Sequence, residues 1–261
     1  MKYGFIGCGN MGGAIAKALK QTTENIIISD PSPVAATFAQ ENGFEYGSNA
    51  NVISGCDRVF LAVKPQMLET VLSPLQNLFK EYQPTIITMA AGVTINKIEK
   101  LAGCKLPIIR IMPNTPVAVG KGMITFCYNE LVSEETINSF TADMKYAGRL
   151  DVIDEKLIDA ASAVAGCGPA FMYMYLEALA DGAVACGLPR AQALEYAAMT
   201  MAGAAEMVLQ TKLHPGALKD SVCSPGGSTI AGVKALEENG LRSAAMQAVI
   251  DAYNRTLELG K

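Results

Sequence analysis

The chain opens with Lys2-Tyr3-Gly4-Phe5-Ile6 and runs directly into Gly7-Cys8-Gly9-Asn10-Met11-Gly12, which reads as an apolar strand, a GxGxxG turn and a helix starting near Asn10. No other feature constrains the fold as much. In a βαβ unit the first glycine permits the tight turn, the second lets backbone approach a pyrophosphate, and the third lets helix pack on strand. Free N–H groups at the helix start face the anion. The motif by itself also fits a glycine-rich turn without a ligand; strand, motif and helix in register favour a bound dinucleotide.

A second apolar strand, Asn25-Ile26-Ile27-Ile28-Ser29-Asp30, stops at Pro31-Ser32-Pro33, which a central strand cannot contain. Asp30 lies about 20 residues beyond the glycines, where a carboxylate accepts hydrogen bonds from ribose hydroxyls and repels a 2′-phosphate. The alternative role for Asp30 is a helix cap, which Ser32 would serve equally. Ser29 and Ser32 can also bind a phosphate, but no arginine lies in this turn. The turn therefore leans towards NADH and leaves NADPH open. Further strands are predicted at Asp57 to Val63, Thr85 to Ala90, Pro107 to Met112, Met123 to Cys127 and Arg149 to Ile153, between helical stretches. Such alternation predicts an α/β fold with a doubly wound, Rossmann-type parallel sheet. Ligands in these sheets lie beyond the carboxyl ends of the strands. The segments leaving those ends are Ala62-Val63-Lys64-Pro65, Ala90-Ala91-Gly92 and Met112-Pro113-Asn114-Thr115-Pro116, small and rigid enough to wall a flat ring. Lys64 either meets a phosphate or substrate or is simply solvated.

With 261 residues the chain has room for one large domain or two smaller ones. A net charge of −4 without a basic run gives no sign of a nucleic-acid or membrane partner. Seven cysteines, Cys8, Cys56, Cys104, Cys127, Cys167, Cys186 and Cys223, include no CxxC pair and have mostly apolar neighbours, so they are expected to be reduced, mainly buried thiols. The first strand begins at once, with no secretory signal before it, and the expected compartment is cytoplasmic. There is no HExxH, no metal-spaced cysteine and histidine cluster and no GxSxG, so no metal is expected.

After Asp154 alanine and methionine dominate, strand patterns vanish, and helical stretches follow from Glu155, Ala170, Pro189 and Thr229. This places a dinucleotide-binding domain at residues 1–154 and an all-α C-terminal domain at residues 155–261. Ala160 to Leu188 is nearly charge-free, but Glu177, Asp181, Pro169 and Gly187 interrupt it as a membrane span. A helix apolar all round is buried, most simply against another subunit, with an intrachain core helix as the alternative. His214, the only histidine, precedes Pro215-Gly216 and reads as a cap or a solvated side chain. Ser224-Pro225-Gly226-Gly227-Ser228-Thr229 then leads into another helix. Exposed backbone at two glycines and two hydroxyls at the positive end of a helix suit one small carboxylate. Plain helix capping explains the same residues equally well in isolation; beside a dinucleotide domain the carboxylate pocket gains.

A dinucleotide site and a carboxylate pocket together point to hydride transfer on a small acid. Reduction of a ketone builds alkoxide charge that a positioned His, Lys or Tyr protonates. Hydroxyacid dehydrogenases of related layout carry that lysine four residues after a helical GxxGxG; laid on Ala163 to Gly168, the position is Met172. An imine nitrogen can enter protonated, so a hydroxyl or water suffices, and C=N is favoured over C=O. A methyltransferase and a non-catalytic dinucleotide sensor are the readings from other classes; the Ser224 to Thr229 pocket speaks against the sensor.

The chain resembles the pyrroline-5-carboxylate reductases over nearly its whole length. The resemblance rests on Phe5 to Met11, Ala62 to Pro65, Ala90 to Val93, Asn114 to Pro116, Gly166 to Ala170, Ala178 to Gly182, and His214 to Gly216 through Lys219-Asp220 to Ser224–Thr229, the last run being highly specific. It implies NAD(P)H-dependent reduction of L-1-pyrroline-5-carboxylate to L-proline, the last step of proline biosynthesis, with hydride delivered to the imine carbon. Another small cyclic imino acid is the alternative substrate. Implied cofactor contacts are Ile6, Gly7, Cys8, Gly9, Asn10, Met11, Ser29, Asp30, Asn49, Ala62, Val63, Lys64, Pro65, Met89, Ala90 and Ala91. Implied substrate contacts are Gly227, Ser228 and Thr229, with Thr229 beside the ring nitrogen as the candidate catalytic residue, either a proton donor or an orienting contact. The family commonly carries serine at Cys167, so a hydroxyl role there gives way to packing, and members often have Ser or Arg near Asp30. Family members form homodimers interlocked through the helical domain, some assembling further into decamers.

Overall fold

The computed structural model describes residues 1–259. The chain forms β1 (Tyr3–Ile6), α1 (Asn10–Leu19), β2 (Ile26–Ser29), α2 (Pro33–Asn42), β3 (Glu45–Tyr46), α3 (Asn49–Gly55), β4 (Arg58–Leu61), α4 (Leu68–Leu72), α5 (Gln76–Tyr82), β5 (Thr85–Thr88), α6 (Ile95–Ala102) and β6 (Ile108–Met112). There follow β7 (Gly122–Tyr128), α7 (Glu134–Asp143), β8 (Gly148–Val152), α8 (Ile158–Ala165), α9 (Gly168–Ala185), α10 (Arg190–Thr211), α11 (Pro215–Ser221), α12 (Ser228–Glu238) and α13 (Leu241–Leu259). Two compact units result: Met1–Cys167 with the residues from Ala252, and Gly168–Asp251. The change of composition after Asp154 coincides with the end of β8, whereas the compact division falls after α8, because α8 packs on β7.

Among the described residues all eight strands form one sheet, in the order β3-β2-β1-β4-β5-β6-β7-β8. Strands β1 to β6 pair in parallel. The doubly wound, mainly parallel sheet expected is present, with one antiparallel pair in it: β7 runs antiparallel to β6, with Ile111 opposite Phe126, and β8 pairs in parallel with β7. The short connection through the 3₁₀ turn Thr115–Val119 explains the reversal, since a parallel partner needs a longer crossover. β3 was not expected either; it is two residues long and exposed, so it carries no apolar pattern.

The pleat sorts side chains onto two faces. Phe5, Ile26, Ile28, Phe60, Ile87 and Ile109 pack with Ile15 and Leu19 of α1, Ala39 of α2 and Phe140 of α7. Ile6, Ile27, Val59, Leu61, Ile86 and Ile108 pack with Val52, Leu72, Phe79 and Ile98 of α3 to α6. Helices thus cover both faces, which makes the fold doubly wound. Two arginines are buried within it. Arg58 of β4 donates to Tyr3 Oη at 2.6 Å and pairs with Asp143 at 3.4 Å, while Tyr3 donates to Asp143 at 2.6 Å. Arg110 of β6 pairs with Glu155 at 3.2 Å and Asp159 at 2.8 Å, fastening the start of α8 to the sheet. A carboxylate lost from Arg58 would leave a buried charge with neutral partners, whereas Arg110 keeps a second carboxylate if either is lost.

The helical unit is built differently. Ala180, Ala193 and Ala197 are its buried hydrophobic residues, whereas Tyr173, Met174, Met199 and Leu209 are all at least 60% exposed. The run Glu155–Ala185 is long and apolar enough, by length and composition, to cross a membrane, but it is divided by a break at Gly166-Cys167.

Candidate active site

The strand order reverses between β1 and β4, because the chain passes from β1 outward to β2 and β3 and then returns to β1's other side. A crevice of about 720 Å³ opens there at the carboxyl ends of the strands. Its walls are Gly7, Gly9, Asn10 and Met11 after β1, Asp30 after β2, Ala62 to Pro65 after β4, Met89 to Ala91 after β5, and Met112 and Pro113 at β6. Most of the expected cofactor contacts are therefore brought together. Gly12, Pro31, Met67, Val71, Met112 and Pro113 also line it without having been singled out as contacts. Met112-Pro113 had the available signal, a strand's carboxyl end. Ile6 and Ser29 are buried and line no part of the crevice, and the Ser29 hydroxyl donates to Asn49 Oδ1 at 2.6 Å.

The three glycines differ in what surrounds them. Gly7 has φ +95°, and a Cβ there would lie 2.7 Å from the Ala62 carbonyl oxygen. At Gly12 a Cβ would lie 2.9 Å from Ala62 Cβ, so a side chain would push α1 off the sheet. Gly9 has nothing within 4 Å of its missing Cβ and leaves the backbone open to a ligand. Gly9 is also the N-cap of α1, with no side chain capping the helix, so its first N–H groups point outward unsatisfied.

Asp30 is tied into the same turn. Its carboxylate accepts from Cys8 N–H at 2.7 Å and from Ser32 N–H at 2.8 Å, and its carbonyl accepts from Tyr46 Oη. Each carboxylate oxygen keeps a lone pair, so ribose hydroxyls can still be accepted. Cys8 supplies backbone here; burial, and then the Asp30 charge, push its thiol up to about 11, which leaves it protonated and inert. Lys64 is exposed and caps the turn Pro65–Met67 through its backbone.

In the helical unit, Gly227 is the N-cap of α12 with φ −75° and ψ 170°, close to the φ −71° and ψ −169° of Gly9 at α1. No side chain caps α12, so the capping explanation of Ser228 and Thr229 has no bond to support it. By contrast, Ser48, Thr94 and Ser133 do cap α3, α6 and α7. Gly226, at φ +69°, makes the turn into this helix. His214 caps α11, its Nδ1 accepting from Gly216 N–H at 3.0 Å. Met172 lies exposed on α9.

Residues 155–259 match the family described as pyrroline-5-carboxylate reductase dimerisation, and residues 2–92 match NADP oxidoreductase coenzyme F420-dependent. A pyrroline-5-carboxylate reductase of Escherichia coli (strain K12) is 41% identical over 266 residues, spanning 100% of this chain and 98% of the relative. The chain belongs to the pyrroline-5-carboxylate reductase family. The reductase of Pisum sativum is 38% identical over 98% of this chain and 95% of its own. Among solved structures, the reductase of Streptococcus pyogenes superposes with a TM-score of 0.91 at 36% identity, covering 99% and 98% of the two chains. The Plasmodium falciparum reductase with NADP bound gives 0.90 at 32% identity, covering 100% and 98%. A ketol-acid reductoisomerase from an uncultured archaeon shares the fold alone, at 0.62 and 17% identity over 98% of this chain and 82% of that one. For a pyrroline-5-carboxylate reductase family member, a nicotinamide dinucleotide cofactor and assembly into an oligomer follow.

Proposed function

We infer that this chain reduces L-1-pyrroline-5-carboxylate to L-proline, using a nicotinamide dinucleotide as the hydride source. The observation that carries the reading is the family membership at 41% identity over the whole chain, joined to a switch-point crevice that fits the cofactor. In this reading the α1 N-terminus and the open backbone at Gly9 hold the pyrophosphate. Small residues at Ala62, Ala90 and Ala91 leave room for a flat ring. The free N–H groups at the start of α12 bind the substrate carboxylate, and the uncapped hydroxyls of Ser228 and Thr229 face the same end of the helix. The bound nicotinamide supplies hydride to C5 of the ring. If the imine nitrogen is protonated beforehand, the C=N electrons neutralise it as hydride arrives and Thr229 only orients it; if the imine is neutral, Thr229 supplies the proton as the C=N electrons move to nitrogen. No metal enters this step, and no lysine is needed at Met172.

Asp30 supports NADH as the better or equal cofactor, since its carboxylate would face a 2′-phosphate. We assign residues 1–154 to cofactor binding and residues 155–261 to dimerisation and substrate. The exposed apolar helices support a homodimer, and light scattering separates dimer from decamer. Seven free cysteines support a cytoplasmic setting. The deciding assay follows NADH and NADPH oxidation with pyrroline-5-carboxylate, pyrroline-2-carboxylate and a 2-keto acid. Turnover with the first and none with the keto acid is expected; comparable kcat/KM on the keto acid would overturn the reading.

A further inference from the structure

Asn114 follows β6 at the point where the sheet turns from parallel to antiparallel, and only 8% of it is exposed. Its side chain is used from both ends. Oδ1 accepts from Met123 N–H at 2.9 Å, at the start of β7, and Nδ2 donates to the Ala165 carbonyl at 2.9 Å, on the last residue of α8. Its own carbonyl accepts from Val117 N–H at 3.1 Å, closing the turn between the strands. The Ala165 carbonyl is one of the groups that a helix end leaves without an internal partner. Beyond it, Gly166 and Cys167 fold back to donate to the Ser162 carbonyl at 2.8 and 3.0 Å. The helical unit begins at Gly168.

The same residue adjoins Met112 and Pro113, which wall the crevice at β6. Asp30 marks the ribose side at β2, and the glycine turn marks the pyrophosphate at β1, so β6 borders the nicotinamide end. We propose that Asn114 is a positioning residue for hydride transfer: one amide ties the nicotinamide-end wall of the crevice to the start of β7 and to the end of α8. The proposal rests on the reading that this crevice holds the nicotinamide that reduces the imine. A wall that shifts lets the ring shift with it, and a misplacement of about 1 Å costs roughly 10² in rate.

An amide is required at this position, because one end must accept and the other donate. Asn114→Asp preserves volume and the bond from Met123 but sets oxygen against the Ala165 carbonyl. The expected result is a kcat lowered by roughly tenfold or more, a raised KM for pyrroline-5-carboxylate, and Kd values for NADH and NADPH within about threefold of wild type. Hydrogen exchange should quicken at the Gly166 and Cys167 amides and stay slow at Met123. Asn114→Ala, which adds no charge, should show the same loss of kcat with cofactor affinity retained. Unchanged kcat, or cofactor Kd rising in step with the loss of kcat, would overturn the proposal. A wild-type protein inactive on the imine would sink the substrate reading instead, and unchanged exchange at Gly166 and Cys167 would still count against the tether.

Discussion

Helices α1 and α12 both start on a glycine with nearly the same backbone angles and no side-chain cap, yet their glycines answer to different surroundings. At α1 the demand comes from inside: Gly7 and Gly12 each sit against Ala62, and a methyl group at either would strike the end of β4. At α12 Gly226 has open space around it, and a side chain at Gly227 would meet only Ser224 of its own turn, both its hydroxyl and its carbonyl oxygen. The first turn is thus part of a packed core, while the second stands clear of one. The same contrast separates the two units, one with apolar clusters on both faces of a sheet, the other with little more than three alanines buried.

The sharpest test falls on the second turn. Thr229→Ala keeps the N–H groups of α12, so KM should change little. If Thr229 donates a proton, kcat falls by roughly 10² to 10⁴; an orienting contact would cost only about 0.5–1.5 kcal/mol. Steady-state kinetics across both variants of the reading decide it, and a lowered melting temperature with unchanged kcat and KM would return Thr229 to a purely local role. Next in size, Gly7→Ala combines a left-handed φ with a collision, and NADH affinity should fall by roughly 10² or more, on the basis of about 3 kcal/mol of strain. Gly226→Ala carries the φ penalty without the collision, about 1–2 kcal/mol, visible as a drop of a few degrees in Tm. Should Gly226→Ala prove as damaging as Gly7→Ala, a neighbour from outside the chain packs on that turn and the contrast with α1 fails.

Asp30→Ser frees the Cys8 and Ser32 N–H groups and removes a negative charge, so the NADPH-to-NADH preference should move towards NADPH by roughly 1–3 kcal/mol, while NADH itself binds more weakly. Titration of both cofactors reads this; a strong wild-type preference for NADPH that the substitution leaves unaltered would show that Asp30 does not face the ribose. The smallest effect concerns the thiols of the sheet unit. Burial raises Cys8, Cys56 and Cys127 to about 11, so the folded state keeps protons that the unfolded chain releases near pH 9. Their contribution to stability is therefore complete below about pH 8.5 and lost as pH rises through 11, which denaturant midpoints measured from pH 8 to 11 would show.

What the residue string reveals depends on whether a requirement is local. The β1–turn–α1 unit is legible because strand, glycines and helix are contiguous, and the wall segments after β4 and β5 follow from it. The antiparallel β7 is not, because Met123 to Cys127 has the same apolar character whichever way it runs. Two-residue β3 lacks any pattern. The bond from Cys8 N–H to Asp30 spans 22 residues, and that from Asn114 to Ala165 spans 51, so neither leaves a trace in spacing. At α12 the motif was visible, but whether its hydroxyls cap the helix or remain free is a matter of rotamer, which only coordinates reveal.

The hydrogen bond from Tyr3 to Asp143 has a consequence for the chain's synthesis. β1 is made before the strands that flank it but lies in the middle of the sheet, and its tyrosine finds its acceptor 140 residues later. At about 5–20 residues per second the first strand waits roughly 7 to 30 s for that partner. The helical residues have not yet been made at that moment. The nucleotide-binding half therefore closes late relative to its own beginning yet ahead of the helices, and a nascent chain stalled before Asp143 should stay open to protease.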